Sequence, residues 1–215
     1  MDILMETENN RHRVLVDAIE KRISANHFDS SLTLPDSELT ELIRLATLAP
    51  TAFNFQNWRF IAVRTPDAKK KLWEAAGRQA KVLEASATFI ICGQLPDHSV
   101  LTERLRPSVD AGFMPEATLA LWVQGADALY TGNARIQRDE AVRSATFGAA
   151  TLMFAAAAHS FATGAMVGFD PDKVAREFRL SPNEIPVLLM TVGAALPGNW
   201  PQKPRRSLQE VLEFA

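Results

Sequence analysis

The sequence predicts a layered fold in which helices flank a small apolar sheet, of either the α+β or the α/β class. Two kinds of run indicate this class. Stretches with helical spacing of apolar residues open the chain and recur over residues 138–161. Short apolar runs at residues 58–63, 87–93 and 186–194 have the length and composition of strands. No repeat, low-complexity run or linker interrupts them, so we expect a single domain over residues 1–215.

The first elements of the chain are helical. A helix over about residues 11–24 is predicted by apolar positions at helical spacing, namely Leu15, Ala18 and Ile19. A second helix is expected to begin at Pro35, because proline suits the first helical turn and the acidic residue after it suits the helix dipole. It should end before Pro50, since the residue before a proline disfavours helical backbone angles.

Two strands follow these helices. Residues 58–63 alternate in polarity as a half-buried strand does, and a short amphipathic helix is expected over about residues 66–79. Residues 87–93 are almost wholly apolar, which predicts a central strand covered on both faces. Cys92, the only cysteine, lies in this run, so we expect it to be a packing residue in a reducing, cytoplasmic compartment.

The second half of the chain is dominated by helix. Residues 97–137 give the weakest pattern, with some helix around residues 114–130. Three glycines in this region are expected to interrupt helices: Gly112, Gly125 and Gly132. A long buried helix is predicted over about residues 138–161, and a short helix near residues 171–179. The strand at residues 186–194 then precedes a basic segment with a short final helix.

Composition excludes several classes of protein. Hydrophobic residues make up 47% and charged residues 22% of the chain, the balance of an ordinary globular protein. The net charge of −2 opposes general attraction to nucleic acid or anionic membranes. The acidic N-terminus lacks a signal-peptide pattern, and the longest uncharged stretch, residues 145–160, falls short of the roughly 18–20 residues that span a bilayer. We therefore expect a soluble protein with no nucleic-acid or membrane partner.

Motifs for metal, nucleotide or nucleophile chemistry are missing from the sequence. There is no HExxH, paired CxxC, GxxxxGK[ST], GxGxxG or GxSxG. The four histidines share no metal-ligand spacing, and His159, at the end of an Ala-rich helix, is expected to be a capping or partly exposed residue. A catalytic triad stays open, because its members need not be close in sequence. If the chain is an enzyme, a cofactor should supply the difficult chemistry.

Several short segments form an ordered pattern along the chain. Residues 21–28 combine basic residues with a serine and a final phenylalanine, and residues 49–60 read APTAFNFQNWRF. The remaining segments are residues 81–86, 168–170, 185–193 and the basic run 203–206. In this order they resemble the nitroreductase family of FMN-dependent NAD(P)H oxidoreductases. The resemblance covers nearly the whole chain, with residues 97–137 the poorest match.

The resemblance implies a fold, an assembly and a reaction. The fold is a layered α/β/α arrangement with a central, mostly antiparallel sheet, and the assembly is an intertwined homodimer with FMN at its interface. The Ala-rich helix over residues 138–161 would form much of that interface, with a helix buried inside one chain as the alternative. In the reaction, NADH or NADPH delivers hydride to FMN N5, and a small electron-poor acceptor such as a nitroaromatic or a quinone receives it in ping-pong order.

Two other functions stay open beside this one. The chain resembles flavoenzymes closely enough to be one with other chemistry, such as reductive dehalogenation or enone reduction. It is also compatible with a non-catalytic protein that binds FMN or a partner. The preference between NADH and NADPH, and the number of electrons delivered at a time, have no signature in the sequence.

The FMN phosphate requires cations and neutral donors, and by the resemblance both ends of the chain supply them. The residues implied are Arg22, Ile23, Ser24 and Asn26 near the start, with Lys203 and Arg205 near the end. Arginine offers phosphate oxygens a fork of donors, and charge-assisted bonds are roughly twice as strong as neutral ones. Without the resemblance, Arg22 would be a helix-terminal cation and residues 203–206 a solvated tail.

The loop before the first strand has two interpretations. The resemblance implies that it comes from the opposite subunit and meets the polar edge of the isoalloxazine ring, through Pro50, Thr51, Ala52, Asn54 and Gln56. Alternatively, these are ordinary turn residues. Phe53 and Phe55 are unusual on an exposed loop, so we expect them to pack against a ring or a partner chain.

Four further residues are implied near the flavin ring. Lys81 resembles the family's cation near the N1 and O2 atoms, and Arg78 belongs to the same implied set. Val167 and Gly168 match a stretch whose backbone runs beside N5 and O4, where glycine permits close approach. The alternatives are a surface lysine at a helix end and a simple turn from strand to helix.

Some positions depart from the family's pattern. Asn26 stands where a third cation is common, Asn57 replaces the usual proline, and Val167 stands where some members have glutamate. Together these changes are expected to weaken FMN binding or to shift its potential. Phe113 and Trp122 are candidates to line the substrate channel, with core packing as the alternative.

Overall fold

The computed structural model describes residues 13–215 of the chain. Residues 13–21 are helical and form α1. The other helices are α2 (Asp36–Ala46), α3 (Pro66–Ala75), α4 (Lys81–Glu84), α5 (Leu101–Asp110), α6 (Glu116–Tyr130), α7 (Ala134–Ala158) and α8 (Pro171–Glu177). The strands are β1 (Trp58–Val63), β2 (Ala87–Gln94), β3 (Ala162–Met166) and β4 (Glu184–Gly193). Short 3-10 turns lie at Ala52–Asn54, His98–Val100 and Leu208–Glu210.

The four strands form one sheet in the order β1-β2-β4-β3, and every neighbouring pair is antiparallel. This pairing decides between the two classes that the sequence left open, because an α/β protein would carry parallel strands joined by helices. The fold is α+β. The predicted central strand is confirmed as β2, which is buried along nearly its whole length between β1 and β4.

Helices cover both faces of the sheet. On one face, α2 and α7 pack on side chains such as Phe89 and Ile91 of β2. On the other face, α3 and α8 pack on the alternate residues Ile90 and Cys92. The period of two in a strand sends successive side chains to opposite faces, so one apolar strand serves both cores. This arrangement confirms the expected α/β/α layering and buries the Cys92 side chain completely.

Helix α7 approaches the sheet very closely at Gly93. A Cβ atom at Gly93 would overlap the backbone carbonyl oxygen of Ala141 in α7. Only a glycine lets the backbone of β2 and that of α7 come so near. The position of α7 over the sheet is therefore fixed at this point.

Helix α7 is long and apolar enough, by length and composition, to cross a membrane. Here it packs instead as a core helix, since side chains such as Ala145, Ala149 and Leu152 are buried in the core that α2 and the sheet complete. Its end is capped by His159, whose Nδ1 atom lies 3.1 Å from Glu38 Oε2 of α2. The expectation for His159 as a capping, partly exposed residue is confirmed.

Several predicted boundaries differ from those of the structure. Helix α1 ends at residue 21 rather than near residue 24, because Ser24 and Ala25 pair with Thr163 at the sheet edge. Residues 11 and 12 of that prediction lie outside the described part of the chain. Gly125 lies inside α6 and does not interrupt it, whereas Gly112 and Gly132 do follow helix ends with positive φ angles.

Strand β3 was not predicted at all. Its sequence, ATGAM, is short and lacks the β-branched and aromatic residues that mark a strand. Helix α7 also starts earlier than expected, at Ala134, where the Asn133 side chain accepts a hydrogen bond from the Ile136 amide. The long helix therefore begins and ends a few residues before its predicted bounds, and the residues after it form a strand where the sequence predicted only a connection.

Candidate functional site

The segment after α1 lies along the edge of the sheet. Ser24 forms a parallel bridge with Thr163 of β3, and the Ala25 amide donates to the Thr163 carbonyl over 2.9 Å. Gly164 makes this contact possible, since a Cβ atom there would overlap the Ala25 carbonyl oxygen. The Ser24 side chain stays exposed at this edge.

The C-terminal segment returns to the same place through Asn199. The Asn199 Oδ1 atom accepts from the amides of Asn26 and His27, at 2.6 and 3.0 Å. Its Nδ2 atom donates to the carbonyls of His27 and Leu196, at 3.0 and 2.9 Å. One amide side chain thus satisfies four backbone groups and joins the two ends of the chain. We call residues 22–27 and 196–205 the terminal junction.

Two further contacts extend the terminal junction towards its charged residues. The Gln202 Nε2 atom donates to the Arg22 carbonyl over 3.1 Å. The Arg205 guanidinium donates to the Lys203 carbonyl over 2.6 Å, and the Lys203 ammonium lies 5.4 Å from the centre of the Trp200 ring. The basic residues from the start and from the end of the chain therefore lie in one region of the surface.

Lys81 begins α4 and points into this region. Its side chain is 8% exposed, and its Nζ atom donates to Asn26 Oδ1 over 3.1 Å. Burial, and secondly the charge of Lys203, hold the pKa of Lys81 below its ordinary value. Because the positive charges of Lys81 and Lys203 repel each other, an anion bound between them would be stabilised.

The cations of this region have no acidic partner in the described part of the chain. Within residues 13–215, no carboxylate forms an ion pair with Lys81 or with the basic residues of the terminal junction, Arg22, Lys203 and Arg205. Neutral donors, among them the exposed Ser24 hydroxyl, lie beside them. Cations and neutral donors without a carboxylate form the donor set that a phosphate monoester requires.

The segment before Lys81 contacts the end of β3. The Gln79 Nε2 atom donates to the Gly168 carbonyl over 3.1 Å, and it also donates to the Ala76 carbonyl over 3.1 Å. Arg78 has a φ angle of +57° and places its guanidinium 5.5 Å from the centre of the Trp73 ring. Residues 79–81 thus reach Gly168 at one end and the terminal junction at the other.

The residues that follow β3 present an apolar side chain and open backbone to solvent. Val167 is 78% exposed, and Gly168 is also exposed. An exposed valine beside an open backbone suits contact with the face or edge of a planar ligand. Val167 carries no charge, so this position offers no carboxylate to such a ligand.

The loop over residues 50–56 has an unusual backbone. Phe53, Asn54 and Gln56 have φ angles of +50°, +55° and +49°, a conformation that non-glycine residues rarely adopt. The Thr51 hydroxyl accepts a hydrogen bond of 2.9 Å from the Gln56 amide and closes the loop. The loop leaves Pro50 and the side chains of Asn54 and Gln56 exposed, while Ala52 is half-buried.

The loop is anchored at its end by Asn57. The Asn57 Nδ2 atom donates to the Gln94 carbonyl over 2.8 Å, and the Gln94 amide donates to the Asn57 carbonyl over 2.9 Å. The Asn57 side chain is only 2% exposed. This asparagine, which stands where proline is usual, ties the loop to the end of β2.

Phe55 packs within its own chain, which corrects the expectation that it contacts a ring or a partner, whereas Phe53 packs beside it and is half-buried. Phe55 is completely buried, with its ring centre 5.4 Å from that of Tyr130 in α6. Phe53 makes edge-on contacts with Phe55, Tyr130 and Trp122 at 5.9–6.2 Å between ring centres. The poorly patterned region of the sequence thus forms a small third core, with α5 and α6, beneath this loop.

The two candidates for a substrate channel have different environments. Trp122 packs edge-on against Phe53 and is 37% exposed. Phe113 is 85% exposed between α5 and α6, so core packing, the alternative that the sequence left open, does not apply to it. Both side chains are accessible to a ligand or to a second chain.

The structure divides the sequence-predicted residues into two groups. One group surrounds the terminal junction and residues 78–81, and it comprises Arg22, Ile23, Ser24, Asn26, Arg78, Lys81, Val167, Gly168, Lys203 and Arg205. The other group is the loop, with Pro50, Thr51, Ala52, Asn54 and Gln56. Within residues 13–215, no hydrogen bond joins the loop to the first group.

Three residues that position the site were missed by sequence reasoning. Asn199, Gln202 and Gln79 each bridge distant segments through a side-chain amide. Their only sequence signal is an amide residue near a predicted functional segment. That signal is weak, because asparagine and glutamine are common in loops.

A groove of about 950 Å³ lies beside the terminal junction. It runs between α1 and the end of α7, and its walls include Leu15, Phe154 and Ile23. Large apolar side chains are also exposed nearby, among them Val14 at 64% and Phe147 at 48%. Contiguous exposed apolar surface of this kind marks an interaction site.

Comparisons with known proteins agree with the resemblance noted in the sequence. A model of the nitroreductase family matches residues 19–194. The Bacillus subtilis protein named "Putative NAD(P)H nitroreductase YodC" is 29% identical over 181 residues, 84% of this chain and 89% of YodC. The CLA biosynthesis enone reductase of Lactiplantibacillus plantarum is 28% identical over 186 residues, 84% of this chain and 85% of that enzyme.

A solved structure shows the same fold. The protein of Exiguobacterium sibiricum that was crystallised with FMN superposes with a TM-score of 0.86, at 24% identity, over 93% of this chain and 96% of that one. At this identity the likeness concerns the fold.

Proposed function

This chain belongs to the nitroreductase family and is an FMN-dependent oxidoreductase, and from that premise we propose how its own residues serve the reaction. The reductant is NADH or NADPH. The acceptor that we propose is a small electron-poor molecule, such as a nitroaromatic or a quinone. The observation that supports this proposal best is the terminal junction, where cations from both ends of the chain meet beside the buried Lys81 and, within residues 13–215, form no ion pair with a carboxylate.

The terminal junction would hold the phosphate end of FMN. Arg22, Lys203 and Arg205 supply positive charge, and Ser24 supplies a hydroxyl donor. Asn26, where a third cation is common in the family, is already bonded to Lys81 and Asn199, so it orients a cation instead of supplying one. Ile23 lies between Arg22 and Ser24 and contributes backbone and apolar contact. The donor set fits a dianion, because its charge relieves the repulsion between Lys81 and Lys203.

The isoalloxazine ring would lie along residues 78–81 and 167–168. Gln79 fixes Gly168, whose missing side chain leaves room for a planar ring to approach the backbone. Lys81 sits at the other end of the segment, where its ammonium group can face the ring as well as the phosphate. Arg78, held on Trp73, would close the rim beside them. These contacts would orient the ring and exclude water from one side of it.

The loop over residues 50–56 would serve the site of a second copy of this chain. Its exposed polar side chains, Asn54 and Gln56, have no hydrogen bond to the terminal junction of their own chain within residues 13–215. In a dimer they would offer donors and acceptors to the polar edge of the partner's flavin. Pro50, Thr51 and Ala52 set the path of the loop towards it.

We propose a homodimer on the evidence of the apolar groove and the side chains around it. The exposed faces of α1 and α7 carry Leu15, Phe147 and Phe154, and the C-terminal segment exposes Leu208 and Phe214. A second copy would bury these surfaces, as an obligate interface requires. Each chain would form one domain over residues 1–215, in the cytoplasm.

The chemistry itself belongs to the cofactor. FMN, when bound, would supply the hydride chemistry between NADH or NADPH and the acceptor, and we propose that the nicotinamide leaves before the acceptor binds. The chain's residues would bind and orient the cofactor and shield it from water. Lys81 would supply a fixed positive charge to the flavin, and a preorganised charge of this kind needs no reorganisation when the reaction occurs.

Enone reduction is a second candidate. The Lactiplantibacillus plantarum relative, an enone reductase by name, covers as much of this chain as YodC does. An enone is also a small electron-poor acceptor, so it would use the same site. Exposed Val167, Phe113 and Trp122 offer apolar contact to either type of molecule.

The test begins with the purified protein. A yellow protein with flavin absorbance that bleaches on adding NADH or NADPH would support the proposal, and a colourless protein that takes up no added FMN would refute it. Steady-state oxidation of NAD(P)H with nitroaromatics, quinones and enones then ranks the acceptors. Sedimentation of the wild type and of Phe154→Glu tests the dimer, with Leu121→Glu, at an exposed position of α6 outside the groove, as the control. Full FMN binding by a monomeric Phe154→Glu protein would contradict a shared site.

A further inference from the structure

The loop over residues 50–56 adopts a backbone that its own sequence does not favour. Three of its residues, Phe53, Asn54 and Gln56, occupy the left-handed region. Asparagine tolerates this region, but phenylalanine and glutamine are strained in it by contacts of their Cβ atoms with the backbone. Such a conformation persists only where surrounding contacts determine it.

Those contacts come from α5 and α6. The Phe55 ring is completely buried against Tyr130, and Phe53 packs against the same ring at 6.2 Å between centres. The Arg104 guanidinium in α5 also donates to the Phe55 carbonyl. Tyr130 is the aromatic residue that touches both phenylalanines of the loop from below.

The Tyr130 ring is held by a buried carboxylate. Its hydroxyl donates to Glu140 Oε2 of α7 over 3.3 Å, and the Ser144 hydroxyl donates to Glu140 Oε1 over 3.0 Å. The Arg143 guanidinium completes the group. Glu140 is 2% exposed and Tyr130 is 3% exposed.

Burying a carboxylate and a hydroxyl at this point is costly, and a phenylalanine above an apolar residue would fill the same space without that cost. The hydrogen bond between Tyr130 and Glu140 fixes the position of the Tyr130 ring relative to α7, which an apolar pair would not do. Burial, and secondly the charge of Glu140, raise the pKa of Tyr130 to about 12, so the hydroxyl remains a donor at every physiological pH.

We propose that Tyr130 and Glu140 are positioning residues, which hold the loop over residues 50–56 in its strained form and thereby set the affinity of the flavin site. Neither residue touches the flavin. They act through contacts of Tyr130 with the rings of Phe53 and Phe55. These two residues fix the backbone from which the Asn54 and Gln56 side chains project. The effect on affinity rests on the proposed function, whereas the effect on the loop can be measured without flavin.

The experiment compares Tyr130→Phe and Glu140→Gln with the wild type. Thr131→Val is the matched control, because it removes a hydroxyl whose 2.5 Å bond to Asp127 lies at the same end of α6 but faces solvent. Hydrogen exchange in the apoprotein is followed for the peptide that contains the Gln56 amide, which donates to Thr51. The dissociation constant of FMN and the melting temperature are measured on the same samples.

Tyr130→Phe should raise exchange in the loop peptide by about tenfold, the size expected for one lost buried hydrogen bond, and weaken FMN binding by a similar factor. Glu140→Gln should change both quantities in the same direction but by less, because its amide oxygen can still accept from the Tyr130 hydroxyl. The melting temperature should fall by a few degrees relative to Thr131→Val, because a buried hydrogen bond is lost. Exchange in α3, which packs on the opposite face of the sheet, should stay as in Thr131→Val. Glu140→Gln keeps the side-chain shape and guards against a folding defect in Tyr130→Phe.

Loop exchange equal to that of the control in both variants would overturn the proposal. Faster loop exchange with unchanged FMN affinity would overturn the link to the flavin site. A wild-type protein that binds no FMN would refute the proposed function, while the exchange data would still decide whether Tyr130 and Glu140 hold the loop.

Discussion

The Lys81 ammonium group lies 3.1 Å from the side-chain oxygen of Asn26, a residue 55 positions earlier in the chain. Asn26 is held in turn by Asn199, close to the other end of the chain. Three segments that are remote in sequence therefore converge on one short hydrogen-bonded path. The charges around this path give rise to the first three predictions.

Replacing Arg205 by alanine should weaken FMN binding about tenfold or more, because a hydrogen bond to a charged group contributes roughly 1.5–3 kcal/mol. Quenching of flavin fluorescence on binding gives the dissociation constant. Arg206→Ala is the control, since the Arg206 guanidinium already pairs with Glu210 at 3.0 Å. Equal losses in the two variants would remove Arg205 from the phosphate site.

Replacing Lys81 by methionine should separate flavin binding from stability. FMN affinity should fall at least tenfold with the loss of the cation. The apoprotein should keep or gain stability, because burial and the charge of Lys203 disfavour the charged lysine, as its lowered pKa indicates. Lys70→Met, at an exposed position of α3, should change neither quantity. A less stable apoprotein with normal FMN affinity would contradict the role given to Lys81.

The same lowered pKa predicts a dependence on pH. Between the folded-state pKa of Lys81 and its ordinary value of 10.5, the unfolded chain binds more protons than the folded one. The free energy of unfolding of the apoprotein should therefore rise with pH across that interval. Urea denaturation at several alkaline pH values measures the slope. The slope should be smaller in Lys81→Met, and an unchanged slope would assign it to other groups.

Removing the side chain of Asn199 should loosen the terminal junction. Asn199→Ala loses four hydrogen bonds to Asn26, His27 and Leu196. We expect a loss of about 1–3 kcal/mol in the free energy of unfolding, and weaker FMN binding. Asn183→Ala is the matched control, because the Asn183 side chain is exposed and accepts from the nearby Ser181 hydroxyl. Equal losses in the two variants would contradict the bridging role of Asn199.

Cys92 should be unreactive in the native protein. Its side chain is completely buried, and burial, followed by the charge of Glu184, raises its pKa to about 12. The thiolate is the reactive form of cysteine, so a disulfide reagent at pH 8 should not label the folded chain. The same reagent in concentrated urea should label one thiol per chain. Rapid labelling without urea would mean that β2 opens to solvent.

The sequence pattern predicts the sheet's centre better than its edge. Residues 87–93 are almost wholly apolar, and the strand that they form is buried on both faces. Strand β3 could not be predicted from its sequence. Its small residues, such as Gly164, are needed because the segment after α1 packs closely against them, and this contact exists only in the folded chain. Local propensity records no such requirement.

The candidate site follows a similar division. Charged residues such as Arg22 and Lys203 could be predicted as site residues from the sequence, because the family resemblance identifies them and because a phosphate group requires cations. The amides that place them could not, since Asn199 and Gln202 act on backbone groups that only the folded chain brings near. Phe53 and Phe55 show the opposite case. The sequence suggested two phenylalanines on an exposed loop, but in the structure they pack in the small core formed with α5 and α6, a region with little sequence pattern.

The contact at Gly93 gives the fold a mechanical property. The carbonyl oxygen that leaves no room for a side chain there belongs to Ala141, the residue next to the buried Glu140. An added methyl group at Gly93 would act as a wedge that lifts α7, and the displacement would reach Tyr130 and the aromatic rings above it. A substitution at Gly93 would thus alter the conformation of a surface loop that Gly93 does not contact. Variants designed to change the loop should therefore keep this glycine.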